Sequence, residues 1–188
     1  MSLLKQGPAQ RTLEFLLDAY FRQSPHLLDR FCGYYLIYFN TKTWPDYYMI
    51  ALCRMFSRED ATFLRYIIRG REPLLGIRIL FKGGGQAAKF EHNLFIQSYS
   101  KPLAGPLVSE IISIRDWKHT DLLLSRMMST HIETNEILYK ARLGRRLGLG
   151  TDLRAGLKAS GLVRKTSPRV SAMIRVILEG PNFHVHTV

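Results

Sequence analysis

Tyr34-Tyr35-Leu36-Ile37-Tyr38-Phe39 is an unbroken run of aromatic and aliphatic residues. A run this short fits either a strand buried on both faces or the end of a helix, and periodicity does not separate the two. Upstream, Leu13, Leu16, Leu17, Tyr20 and Phe21 recur at the spacing of one helix face, with Thr12 placed to cap it. Ser24-Pro25 closes that helix and opens a second, with Leu27, Leu28 and Phe31 as its buried face. Downstream, Pro45 starts a third helix through Met49, Leu52 and Phe56. Ser57-Arg58-Glu59-Asp60 has the form of an acidic capping box ahead of Phe63, Leu64, Ile67 and Ile68, and Gly70 and Pro73 end that segment. Residues 1–70 are therefore expected to be a helical N-terminal region.

From Leu75 the pattern changes. Gly76-Ile77-Arg78-Ile79-Leu80-Phe81-Lys82 alternates as a strand does, and Gly83-Gly84-Gly85 then calls for a turn or bulge. Lys89 to Tyr99 and Leu107 to Ile114 are two further strand candidates, which makes a small antiparallel meander. Leu122 to Met128 and Ile132 to Leu143 are expected as helices, Gly144 to Gly161 as an irregular stretch, and Met173 to Leu178 as a last strand. The expected fold is α+β: N-terminal helices, then a mostly antiparallel small sheet with helices on one face and a basic irregular arm. Residues 71–188 form its α+β domain, with a basic insertion at about 115–168.

The chain has 188 residues, 46% of them hydrophobic and 22% charged, the size and composition of one domain with a real core. Its apolar runs fall far short of the roughly 18–20 residues that a membrane-crossing helix needs, so no transmembrane segment is expected. Two cysteines, Cys32 and Cys53, with no signal-peptide pattern, argue against a disulfide framework and point to a reducing compartment. Charge says more. The net value is +12, and between Lys140 and Arg169 nine basic residues face one acid, Asp152. Such a density repels itself unless phosphates neutralise it, which makes a polyanion the expected partner.

Catalytic patterns are absent from the sequence. Gly83-Gly84-Gly85-Gln86 lacks the lysine and hydroxyl of a phosphate loop, and His184 and His186 have no neighbouring carboxylate or thiol to complete a metal site. The carboxylate pairs Glu59-Asp60 and Glu133/Glu136 are accounted for as helix-start acids. No catalytic residue, metal or cofactor is expected, and no small-molecule substrate. The positive candidates are RNA-binding: Lys140, Arg142, Arg145, Arg146, Arg154, Lys158, Arg164, Lys165 and Arg169, with Lys101 beside Tyr99 as an outlying contact. Arginine forks match phosphate geometry, and the interspersed glycines let backbone approach a polyanion closely.

The strand-and-glycine block carries a resemblance. Gly76-Ile77-Arg78-Ile79-Leu80-Phe81-Lys82-Gly83 is similar to the "G-I-[KR]-V-x-[VF]-x-G" strand that opens the C-terminal domain of the small-subunit ribosomal protein three family. Gly85-Gln86-Ala87-Ala88 resembles its "G-G-A-E" turn, Ser98-Tyr99-Ser100-Lys101-Pro102-Leu103 its "R-E-G-R-V-P-L" bend, and Glu110-Ile111-Ile112 its "D-I-D" strand. Ile174-Arg175-Val176-Ile177-Leu178-Glu179-Gly180 looks like its closing "V-K-V-W-I-F-K-G". Gly84 stands where the family has an arginine, and no Gly-x-x-Gly loop of an RNA-binding KH domain precedes Leu75. The resemblance implies a divergent member reduced to the C-terminal domain. It would be a non-enzymatic constituent of the mitochondrial small ribosomal subunit in the matrix, held by ribosomal RNA and neighbouring ribosomal proteins. The alternative class is an accessory structural subunit of another large mitochondrial complex, contacting protein and anionic lipid.

Overall fold

A computed structural model describes residues 21, 28–41, 43–101, 108–114, 122–130, 137–148, 153–180 and 186–187. The expected helices between residues 12 and 27 lie outside these, except that Phe21 is helical and buried. The described chain is nearly all strand: β1 (Gly33–Asn40), β2 (Tyr47–Arg58), β3 (Ala61–Arg71), β4 (Arg78–Phe90), β5 (Asn93–Lys101), β6 (Val108–Ser113), β7 (Leu122–Thr130) and β8 (Ile137–Arg146). Each pairs antiparallel with the next, and β8 pairs back onto β1 through Tyr35↔Arg146 to Tyr38↔Leu143. The result is a closed eight-stranded up-and-down barrel, not the expected α+β arrangement.

Both faces of β1 and β2 are covered, which explains why their sequences hid the strand period. From Tyr48 to Cys53 six consecutive residues are buried. Odd-numbered Tyr35, Ile37, Phe39, Ala51, Cys53 and Met55 face the barrel interior, while Leu36, Tyr38, Tyr48, Ile50 and Leu52 form a second core on its outside. Met49, Leu52 and Phe56 therefore mimic a helix face within a strand. The supposed capping box Ser57–Asp60 is instead the β2–β3 turn, two residues long, with Glu59 at φ 56°.

The outer core is covered by the C-terminal segment. Helix α1 (Leu153–Ala159), strand β9 (Gly161–Arg164) and helix α2 (Ala172–Glu179) follow β8, and β10 (His186–Thr187) pairs with β8. Met173 to Leu178 is thus helix, not strand. Ser171 caps it by accepting the Ile174 N–H, and Ile174 and Leu178, one turn apart, enter the outer core at 1% and 0% exposure. Asn40 donates to the Leu178 carbonyl at 3.0 Å, and the Tyr48 hydroxyl donates to Glu179 at 3.0 Å, which pins α2 to the barrel wall. The expected helix 122–128 gives way to β7 and the described part of 132–143 to β8, while the described parts of the expected irregular stretch are the end of β8, α1 and the start of β9; residues 132–136 and 149–152 lie outside the described residues.

Two glycines make the wall close. The triple glycine lies inside β4 rather than at a turn, and a Cβ on Gly85 would sit 2.7 Å from the Ser98 Cα and collide with the Gln97 carbonyl. Only glycine lets β4 and β5 approach so tightly at a bend of the barrel. Strand β9 fills the gap where β2 and β3 part: it pairs with Tyr47–Ile50 of β2, and Gly161, at φ +120°, abuts Arg69 and Gly70 of β3.

Candidate functional site: the barrel interior

Inward residues of an eight-stranded barrel either fill it or leave room for one small ligand. One end is filled. A 3₁₀ turn at Asp29–Phe31 places Leu28 and Phe31, at 2% and 0% exposure, over Tyr35, Met55, Leu94 and Ile114. Beyond them the interior holds a cavity of about 60 Å³. Its walls are largely apolar: Ile37, Phe39, Ala51, Leu64, Ile68 and Ile96 among them.

A polar set interrupts that lining. Glu110 on β6, 6% exposed, accepts an Arg142 guanidinium N–H at 3.4 Å through one oxygen and the Ser125 hydroxyl through the other. Ladder registry builds the cluster: Ser125 lies opposite Arg142, Ile96 opposite Glu110, and Ser98 is one inward position along β5. The Arg142 guanidinium also lies 4.8 Å from the centroid of the Phe39 ring. Its Nε is buried and has no hydrogen-bond partner among the described residues. A charged pair out of water is tolerated only when its remaining donors are met, so an orphaned guanidinium N–H facing a cavity marks the place for an acceptor.

Cys53 lines the same cavity and is not a nucleophile there. Burial, with the Glu110 charge acting in the same direction, pushes its thiol up to about 12, and Arg142 offsets this only in part. Among the described residues no three His, Cys, Asp or Glu side chains gather closely enough to hold a metal ion.

The ten basic residues singled out in the sequence do not form one arm. Arg142 is inside the barrel. Arg146, on the inward face of β8, donates to the Cys32 carbonyl at 2.9 Å and ties β8 to the start of β1. Arg145, Arg154, Lys158, Arg164 and Arg169 are exposed, on β8, α1, β9 and the turn before α2. Arg164 donates to the Tyr47 hydroxyl at 3.1 Å, and the Lys165 ammonium lies 5.5 Å from the Tyr48 ring. Lys101 ends β5 and Lys140 lies within β8. Glu110, Ser98 and Ser125 were not singled out as site residues; the available signal was an acid placed mid-strand between Val108 and Ile112 on one parity.

Fold and interior together define a closed antiparallel barrel with an internal, largely apolar cavity whose wall carries one polar cluster. No protein-family model, curated protein or solved structure matches this chain.

Two observations bear on membranes. No helix among the described residues is long and apolar enough to cross one. The barrel has mostly apolar residues inside, and its outer wall mixes exposed Arg54, Arg65, Lys82, Arg126 and Arg145 with exposed Leu80, Ile111, Leu124 and Met128, unlike the continuous apolar band of membrane-spanning barrels.

Proposed function

We propose that this chain is a binding protein whose barrel takes one slender, mostly apolar molecule, with a neutral carbonyl or hydroxyl end against Arg142. The observation that carries the reading is the buried Arg142 Nε, without a hydrogen-bond partner among the described residues, in the wall of a largely apolar cavity. A neutral end is favoured over a carboxylate because Glu110 already balances the guanidinium, and a second anion beside it would meet repulsion. This departs from the sequence expectation of no small-molecule ligand. Calorimetric titration with straight-chain alcohols tests it. Affinity should rise about fourfold per added methylene until the cavity is full, at about 0.8 kcal/mol each. Acids of equal length should bind more weakly than the alcohols, and Glu110→Gln should reverse that preference. No heat with any alcohol rejects the reading.

A second reading keeps the polyanion partner. Arg145, Arg154, Lys158, Arg164 and Arg169 are solvent-exposed, and ribosomal RNA phosphates are their partners in this reading, as a constituent of a mitochondrial small ribosomal subunit would require. Replacing four of them by Gln should flatten the salt dependence of RNA affinity by about 0.7–0.9 log units for each phosphate disengaged. An unchanged slope removes that reading.

A further inference from the structure

The turn between β3 and β4 displays its apolar residues outward. Leu74 is 88% exposed, Leu75 77% and Ile77 59%, and Leu80, just inside β4, is 52% exposed. Turn tips are ordinarily polar, and a contiguous apolar patch this exposed marks a contact surface.

The display is rigid. The Glu72 carboxylate accepts the Leu74 N–H at 3.0 Å, the Leu75 N–H and the Trp44 indole N–H at 3.3 Å. The Glu72 N–H donates to the Ile77 carbonyl at 2.7 Å, the Gly76 N–H returns to the Glu72 carbonyl at 3.0 Å, and Arg71 donates to the Gly76 carbonyl at 3.0 Å. The backbone N–H groups of Leu75 and Leu74 hold the Glu72 carboxyl below the usual carboxylate range. Gly76, at φ +68°, completes the turn. The apolar tip is therefore held in place, with little ordering entropy left to lose on contact.

Around it stands a collar of exposed cations: Arg69 and Arg71 on β3, Arg78 and Lys82 on β4. Arg71 lies directly opposite Arg78 in the ladder, a like-charge pairing that is unfavourable unless anions sit between them. Glu72 is the one acid between residues 69 and 82, and its carboxylate is occupied by the turn. The hairpin runs past the β2–β3 ladder, which stops at Leu52↔Ile67, and past the β4–β5 ladder, which stops at Lys82↔Lys101; β9 flanks it at Arg69 and Gly70, and Arg71 to Arg78 lie beyond that flank. It lies at the end of the barrel opposite the Leu28–Phe31 plug, beside cavity-lining Phe39 and Ile68.

We propose that this hairpin docks the barrel on an anionic bilayer surface. Leu74, Leu75 and Ile77 enter the boundary between headgroups and acyl chains, and the four cations engage lipid phosphates. A protruding apolar tip with a cationic collar suits a bilayer, whose surface is anionic and yields to insertion, better than the shaped pocket a protein would have to supply. Docking stands whether or not the cavity holds a ligand, and it would bring the end of the barrel opposite the Leu28–Phe31 plug against a reservoir of apolar molecules.

Vesicle flotation tests it, with phosphatidylcholine vesicles with and without phosphatidylglycerol. The full chain should float with the phosphatidylglycerol vesicles and much less with phosphatidylcholine alone. Leu74→Ser/Leu75→Ser/Ile77→Ser should lower partitioning about a hundredfold. Arg69→Gln/Arg78→Gln should lower it by about fivefold per cation, on phosphatidylglycerol vesicles only. These sites are exposed, so both variants should keep the wild-type melting temperature. Arg154→Gln/Lys158→Gln should retain binding; a loss there equal to that of the hairpin variants would replace docking by general surface charge and overturn the proposal. Equal flotation of wild type and triple variant, or no flotation at all, would also overturn it. A cavity-filling Ala51→Phe variant should float normally while losing alcohol binding, so that failure of the ligand reading and failure of docking are told apart.

Discussion

Strands β1 and β2 carry two cores, one on each face, and the two are built oppositely. Outside, Tyr38 and Tyr48 pack with Val170, Ile174 and Leu178 at 2% exposure or less, and the charged groups that reach Tyr48, Glu179 on its hydroxyl and Lys165 over its ring, are not themselves buried. Inside, the same strands line a cavity with an ion pair in its wall. Dense packing stabilises; space and buried charge do not. The outer face is therefore where the fold gets its strength, and the inner face is where strength is given up for a cavity.

The largest expected effect is on the outer face. Ile174→Asp places an unpaired charge at 1% exposure and should cost more than about 4 kcal/mol, enough to abolish soluble expression. Good expression with a native circular dichroism spectrum would mean that α2 is not seated on the barrel. Next is the interior pair. Glu110→Ala strands the Arg142 charge and should cost about 3–5 kcal/mol in urea unfolding, whereas Glu110→Leu/Arg142→Met should be neutral or stabilising by about 1–4 kcal/mol while removing the preference for a polar-ended ligand. A double variant less stable than Glu110→Ala would make the pair structural, and would erase the contrast between the faces.

The smallest effect is alkaline. The Cys53 thiol ionises near 9.0 in the unfolded chain and at about 12 when folded, so the unfolded state loses its proton first as pH rises. Stability should then fall by about 1.4 kcal/mol per pH unit from about pH 9 upward. Tyr48 joins from about 10, its phenol pushed to about 12 by burial and then by the hydrogen bond to Glu179. Cys53→Ala should delay the onset to the Tyr48 window, as read by unfolding at about pH 8 and about pH 10. An onset unmoved by the substitution would show the inner thiol to be in contact with water.

The same contrast governs what the sequence disclosed. Arg78 to Lys82 was legible as strand because β4 alternates exposed Arg78, Leu80 and Lys82 with half-buried Ile79 and Phe81, but the triple glycine expected as a turn lies within the ladder and hid that β4 runs on to Phe90. Tyr47 to Cys53 was not, because burial on both faces removes the period-2 signal, and the apolar spacing that remains fits a helix equally well. Ile174 to Leu178 erred the other way: its branched residues suggest a strand, and the Ser171 cap with the Ile174–Leu178 stripe prevails. Basic charge was legible in amount but not in direction. Arg142 was singled out for phosphate, yet inward parity on β8 turns it to Glu110, which only the ladder shows.

The central claim is that the Arg142 Nε–H waits for a ligand's acceptor. Nitrogen-15 NMR of the arginine side chains reads that group directly, with the resonance assigned through its loss in Arg142→Lys. On saturation with a straight-chain alcohol the Arg142 Nε–H signal should shift and gain protection from solvent exchange, while those of Arg145 and Arg154 stay in place. An Arg142 signal that remains unmoved while alcohol binds, or that moves no more than exposed Arg154, would contradict the account.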